Sequence, residues 1–278
     1  MLFPLHDHNP TTRTPIVTYA IVAVNVVAFL WLIRLPALEK EKIYYEQGFV
    51  PARIAQLVDH KPIQVELEHQ PVEVQPAGEA GQAAEAPEAK LFPLNAVPGQ
   101  IFLSLLTCMF MHGGWLHLIG NMWFLWVFGN NVEDRLGHAT YLLFYLIGGL
   151  LASACHWIIE PGSTTPVIGA SGAVAAMLGA YAITWPWARV KTLVFLFVII
   201  TIIDLPALLL LGLWFGAQIW GGAQALGPGQ PSGVAWWAHI GGFLAGLLLM
   251  PLLSALIGAA QQRHDGEDDV MRRLEAFN

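Results

Sequence analysis

The chain has 278 residues, 55% of them hydrophobic and only 12% charged, with a mean hydropathy of +0.54. Soluble globular domains carry about 25% charged residues, so this composition reads as a membrane protein. It leaves no basic face for nucleic acid, two cysteines cannot hold a chain of this length as a disulfide scaffold, and the net charge of -7 comes largely from acids in one loop.

Residues 1–14 hold prolines, histidines and an aspartate, not the basic start and apolar run of a cleavable leader. Beyond them, Asp, Glu, Lys and Arg are missing from 91–132, 136–159, 161–188 and 205–262. A helix needs about 20 apolar residues to cross roughly 30 Å of hydrocarbon. The predicted spans are therefore about 15–35, 115–132, 139–159, 167–186, 205–220 and 236–257, six in all. The run 190–203 is apolar and β-branched, yet at about 1.5 Å per residue it is short for a crossing. A re-entrant or interfacial piece packed on protein is expected there, with a seventh crossing as the alternative.

Basic residues in short loops set the orientation. Arg135 lies between spans two and three, Arg189 and Lys191 between four and five, Arg13 before span one, and Arg263, Arg272 and Arg273 after span six. The expected organisation is a cytoplasmic segment 1–14, a membrane domain 15–257 and a cytoplasmic polar tail 258–278. The long first loop, about 36–114, faces outward and holds ten acids against five bases. Within it, 63–74 alternates apolar and polar residues as a small hairpin would, and 76–89 is Ala, Glu, Gly and Pro with almost nothing to bury. An insertion at about 62–90 is thus expected to be disordered in part. Residues 101–111 are apolar again and suggest a short helix near the membrane surface.

Polar groups at membrane depth are functional hypotheses by default. Span two holds His117 and Asn121, at i and i+4 and hence on one helical face. Span four opens with Gly169-Ala170-Ser171-Gly172 and span six with Ala238-His239. A serine hydroxyl needs a base within about 3 Å to act as a nucleophile, and His239 begins its span at the same depth as Ser171. Ser171 would sit at a helix N-terminus, where free N–H groups favour developing negative charge, and His117 and Asn121 could donate to an oxyanion. Small residues recur at 171, 175 and 179 and at 238, 242 and 246, a pattern that lets membrane helices approach closely. Plainer readings exist for each piece. Gly-x-Ser-Gly also serves helix packing, a membrane His or Asn also serves interhelical hydrogen bonding, and His156 and Asp204 suit groups at the membrane boundary. The compact run Glu133-Asp134-Arg135-Leu136-Gly137 suggests a loop braced by an ion pair.

Taken together, these pieces resemble the rhomboid family of intramembrane serine proteases. His117-x-x-x-Asn121, Glu133-x-Arg135-x-Gly137, Gly169-x-Ser171-Gly172 and Ala238-His239-x-x-Gly242-x-x-x-Gly246 occur in the family's order over about 109–250. The resemblance implies an all-α, six-helix membrane bundle with a water-filled cavity open to the outside. It implies that Ser171 attacks a peptide bond while His239 serves as base and then acid, with no third acidic member, cofactor or metal. It maps the oxyanion site onto His117, Asn121 and the Ser171 backbone N–H. Structural support falls to Gly169, Gly172, Gly242 and Gly246, and the Glu133 and Arg135 pair becomes a bracing network. The implied partners are single-pass transmembrane protein substrates, cut near the outer face, and the lipid bilayer; a bacterial inner membrane is the expected location. Two positions depart from the family's pattern. Ala175 stands where several members stack a Tyr or Phe on the histidine, so another group must orient His239, and no Trp-Arg pair precedes Ile101. A non-catalytic client-binding protein on the same scaffold is the alternative. A transporter would call for an inverted repeat or paired broken helices, and none is visible in the sequence.

Overall fold

The computed structural model describes residues 2–67, 91–196, 199–227 and 233–275, with side chains described as far as Ile257. Helices occupy all six stretches that the charge map singles out: α1 (Ile16–Leu32), α5 (Trp115–Leu136), α6 (His138–Ile159), α7 (Ser171–Thr184), α8 (Ala207–Ala225) and α9 (Trp236–Glu275). Between α1 and α5 lie α2 (Ala37–Gln47), the four-residue α3 (Gln56–Asp59) and α4 (Pro98–Thr107), the last being the short helix expected near the surface. By length and apolarity His138–Ile159 and Trp236–Ile257 can each cross a membrane. Pro98–Phe110 and Trp115–Leu136, bent 79° to each other, make a third candidate if counted as one span. Ile16–Leu32 and Ser171–Thr184 are shorter apolar helices.

Strands correct the all-α expectation. β1 (Leu2–Asp7), β4 (Arg189–Leu196) and β5 (Ile199–Pro206) form an antiparallel sheet in the order β1-β4-β5, and β2 (Ile63–Glu66) pairs with β3 (Leu91–Leu94). The run 190–203 therefore folds as the antiparallel pair β4–β5: the piece expected to be re-entrant or interfacial is strand, and it is not a seventh helical crossing. Its β-branched side chains favour strand, and they alternate as a half-buried strand must: Val190, Thr192 and Val194 are buried while Arg189, Lys191 and Phe195 are exposed. Within the segment 1–14 the first residues supply a strand that pairs far along the chain, Leu2 with Val194. β1 lies along α5. The Trp123 Nε1 donates to the Pro4 carbonyl (2.6 Å), and the Asn131 Nδ2 and Tyr181 hydroxyl both donate to the buried Asp7 carboxylate (2.7 Å each).

In the first loop the expected 63–74 hairpin is corrected too, since β2 takes 91–94 as its partner. The expectation of disorder at 76–89 lies outside the described residues. Arg53, 2% exposed, donates to the carbonyls of Tyr45, Glu46 and Asn95 and so ties α2 to the approach to α4.

The Glu133 carboxylate, fully buried, accepts from the Val17 N–H (2.9 Å), the Thr18 N–H (2.8 Å), the Thr18 hydroxyl (2.7 Å) and His138 Nδ1 (2.6 Å). It thereby satisfies the orphan amides at the start of α1 and places negative charge where the helix dipole favours it. Asp134, one residue on, accepts from the Thr12 and Arg13 N–H groups in the turn that leads into α1. The brace is thus carboxylate to helix N-terminus. Arg135 is exposed and makes no ion pair with Glu133 among the described residues; a buried carboxylate already saturated by N–H and O–H donors leaves it no site.

Candidate active site

α7 begins at Ser171, four residues later than the predicted span, because the chain turns just before it. Gly169 has φ +122°, a conformation that side-chain-bearing residues rarely adopt, and a Cβ there would stand 2.6 Å from His117 Nε2. A glycine therefore serves two ends, turning the chain into α7 and letting the His117 ring lie against the backbone. No side chain caps α7, so the amides of its first turn remain available beside Ser171.

α9 packs tightly on α7. A Cβ on Gly242 would overlap the Gly172 carbonyl oxygen, and one on Gly246 the Ala176 carbonyl oxygen. Gly172 meets α6 on its other side, where a Cβ would stand 2.7 Å from that of Ala152. This contact brings the two predicted residues together: Ser171 Oγ is 2.8 Å from His239 Nε2. The separation is a hydrogen bond of ordinary length, at the distance a general base requires.

Both side chains line a cavity of about 1050 Å³, whose wall also includes His117, Asn121, Trp214 and Gln218. Asn121 is buried, and its Nδ2 has no hydrogen-bond partner among the described residues. Its amide N–H groups are therefore free to donate to an oxygen next to Ser171. His117 and Asn121 both flank the Gly169 turn, so the four residues expected to act together do share one cavity.

Two residues escaped the sequence reading and a third stands elsewhere than expected. Gln218, on α8, accepts from or bonds to His239 Nδ1 at 2.7 Å through its Oε1; nothing marks a single Gln in an apolar span as a partner for a histidine in another. His112 is fully buried with its ring 5.0 Å from that of His117, and its only sequence signal is a position five residues before it. His156, read from sequence as a boundary group, stands in the cavity wall. Asp204 keeps its plain role, pairing with His8 at the exposed end of the sheet (3.1 Å). Among the described residues no cluster of His, Cys, Asp and Glu is arranged to hold a metal ion.

The fold and the site define a helical membrane protein with a hydrogen-bonded serine–histidine pair set in a large cavity. The family model described as Rhomboid domain matches residues 99–256, more than half of the chain, and the chain belongs to the rhomboid family. It is 33% identical over 165 residues to rhomboid-like protein 11, chloroplastic, of Arabidopsis thaliana, covering 56% of this chain and 54% of that protein. RHOMBOID-like protein 4 of the same plant is 32% identical over 159 residues, covering 56% and 35%. The human presenilin-associated rhomboid-like protein, mitochondrial, is 26% identical over 102 residues, covering 36% and 27%. The match thus spans about half, or less, of these relatives' own lengths. Family and apolar helices together make the chain an integral membrane protein in contact with lipid. The two compartments that these names give are the chloroplast and the mitochondrion, so the expected bacterial inner membrane finds no support among them.

Proposed function

We propose that the chain is an intramembrane serine endopeptidase. The observation that carries the reading is the 2.8 Å contact between Ser171 Oγ and His239 Nε2 inside the cavity. In the first step Ser171 Oγ attacks a peptide carbonyl carbon and its proton passes to His239 Nε2. The carbonyl oxygen becomes an oxyanion held by the Asn121 amide, the His117 ring and the Ser171 backbone N–H. His239 then gives its proton to the leaving amine, and a water activated by His239 cleaves the acyl-enzyme. The substrates are single-pass membrane proteins. An intact helix hides its carbonyls from attack, so segments weakened by Gly or Pro suit the site. In this reading the membrane domain spans 15–257 with six crossings and both termini are cytoplasmic, which the basic residues of the short loops support.

Labelling of purified, detergent-solubilised protein with a serine-directed fluorophosphonate tests this directly. Wild type should label, Ser171→Ala should not, and cleavage of a single-pass substrate should vanish with either Ser171→Ala or His239→Ala. The double variant should be no worse than either single one, because members of one catalytic unit are non-additive. Binding of client helices without labelling or cleavage would return the chain to the non-catalytic reading.

A further inference from the structure

His239 Nδ1, the ring nitrogen turned away from Ser171, decides what the other nitrogen can do. It lies 2.7 Å from the Gln218 Oε1, while the Gln218 Nε2 lies 3.3 Å from the Trp214 carbonyl oxygen one turn earlier on α8. Gln218 stands in the cavity wall at 7% exposed, and the Trp214 carbonyl and His239 are its hydrogen-bond partners among the described residues.

The orientation of that amide follows from what each group can donate. A backbone carbonyl only accepts, so the NH2 of Gln218 must face Trp214 and its oxygen must face His239. An amide oxygen also only accepts, so His239 Nδ1 must carry the ring proton. The neutral imidazole then has a bare lone pair at Nε2, 2.8 Å from Ser171 Oγ, and the serine hydroxyl donates to it. The flipped amide would set oxygen against oxygen at Trp214. It would also turn the histidine into the tautomer whose Nε2–H faces the serine and can take no proton from it.

We propose that Gln218 is a positioning residue: held by the Trp214 carbonyl of its own helix, it fixes the tautomer and ring plane of His239 so that Nε2 is the base. This rests on the proposed hydrolase reading. Beside the Trp214 and Trp236 rings that flank the imidazole, it supplies the hydrogen-bonded orienting contact that Ala175 cannot, with a neutral amide where Ser-His-Asp enzymes use a carboxylate.

The test uses full-length protein in detergent. Gln218→Met keeps length and loses both polar atoms, Gln218→Asn is too short to reach, and Gln218→Glu restores an acceptor. In fluorophosphonate labelling the maximal inactivation rate of Gln218→Met and Gln218→Asn should fall about 10- to 100-fold, the size seen when a histidine ligand loses its orienting partner. The probe's half-saturating concentration should stay within about twofold, and Gln218→Glu should recover most of the rate. Nitrogen-15 spectra of histidine-labelled protein, with His239 assigned by comparison with His239→Ala, should show a proton on Nδ1 in wild type and Gln218→Glu. Gln218→Met should lose that preference. Thermal unfolding of each variant shows which are folded, and Gln218→Asn serves if Gln218→Met is not. An unchanged tautomer, or an unchanged inactivation rate, in a folded Gln218→Met or Gln218→Asn overturns the proposal. Failure of wild type to label on Ser171 overturns the hydrolase reading instead, and the spectra still report the tautomer.

Discussion

Gly246→Ala adds a single carbon to α9 at its closest approach to α7. That carbon would overlap the Ala176 carbonyl oxygen and stand 2.8 Å from the Ala176 carbonyl carbon and 2.9 Å from the Ala180 nitrogen. These are backbone atoms and cannot swing aside. Carbon contacts settle near 3.5 to 4.0 Å, so the two helices must part by about 0.7 Å or more. Ser171 and His239 ride on the same two helices, and a misplacement of about 1 Å at a reacting pair can cost on the order of 100-fold in rate. Fluorophosphonate labelling of Ser171 should accordingly slow by roughly 10- to 100-fold, with a loss of about 1–3 kcal/mol in stability from overpacking. Gly212→Ala is the matched control. Gly212 lies on α8, exposed, with open space where its Cβ would go, so labelling should not change and helix propensity should add up to about 1 kcal/mol. Gly246→Ala protein that labels at the wild-type rate and unfolds at the wild-type temperature would refute the idea that this contact sets the geometry of the pair.

Asn121→Ala should lower substrate turnover by about 100- to 1000-fold, the range for loss of one oxyanion donor, while Ser171 still labels slowly; unchanged turnover would return Asn121 to helix packing. Glu133→Ala leaves the Val17 and Thr18 amides without their acceptor, and thermal unfolding should register about 1–3 kcal/mol for each buried donor left unsatisfied, with labelling of the folded fraction unaffected. Burial holds the Asp7 carboxyl above the ordinary carboxylate range, against the pull of the Tyr181 and Asn131 hydrogen bonds. With the folded value raised, its contribution to stability is full below about pH 3.9 and is lost as pH rises through the elevated value. Asp7→Asn keeps an acceptor oxygen and does not titrate, so the unfolding temperature of wild type relative to Asp7→Asn should decline across that window, and a flat difference would contradict the assignment.

Most of the helical frame is legible in the sequence because lipid leaves the backbone few choices: where charges are absent for long enough, a helix forms. The pairing of Ser171 with His239 is legible for a related reason, since small residues at a spacing of four mark which helix faces can meet. Other features depend on partners far along the chain. The run 190–203 is short and mostly apolar, with only Lys191, Thr192 and Thr201 to mark an alternation, and its pairing with the distant β1 is not visible locally. Glu133 and Arg135 look like an ion pair two residues apart, yet the carboxylate is taken by amides of α1 more than a hundred residues earlier. Gln218 becomes informative only once α8 is laid beside α9.

Strand β1 finds its partners far along the chain. Its Asp7 meets a tyrosine 174 residues further on, and β4 lies further still. Pairings of such long range form slowly, because the chain between them must be brought together before any contact rewards the closure. Without β1 in place, the Trp123 indole would lack its Pro4 acceptor and the Asn131 amide would keep only Asn130 among the described residues. The first residues therefore act as a clasp, tying α5, α7 and the β4–β5 hairpin together through contacts more than a hundred residues apart in the chain.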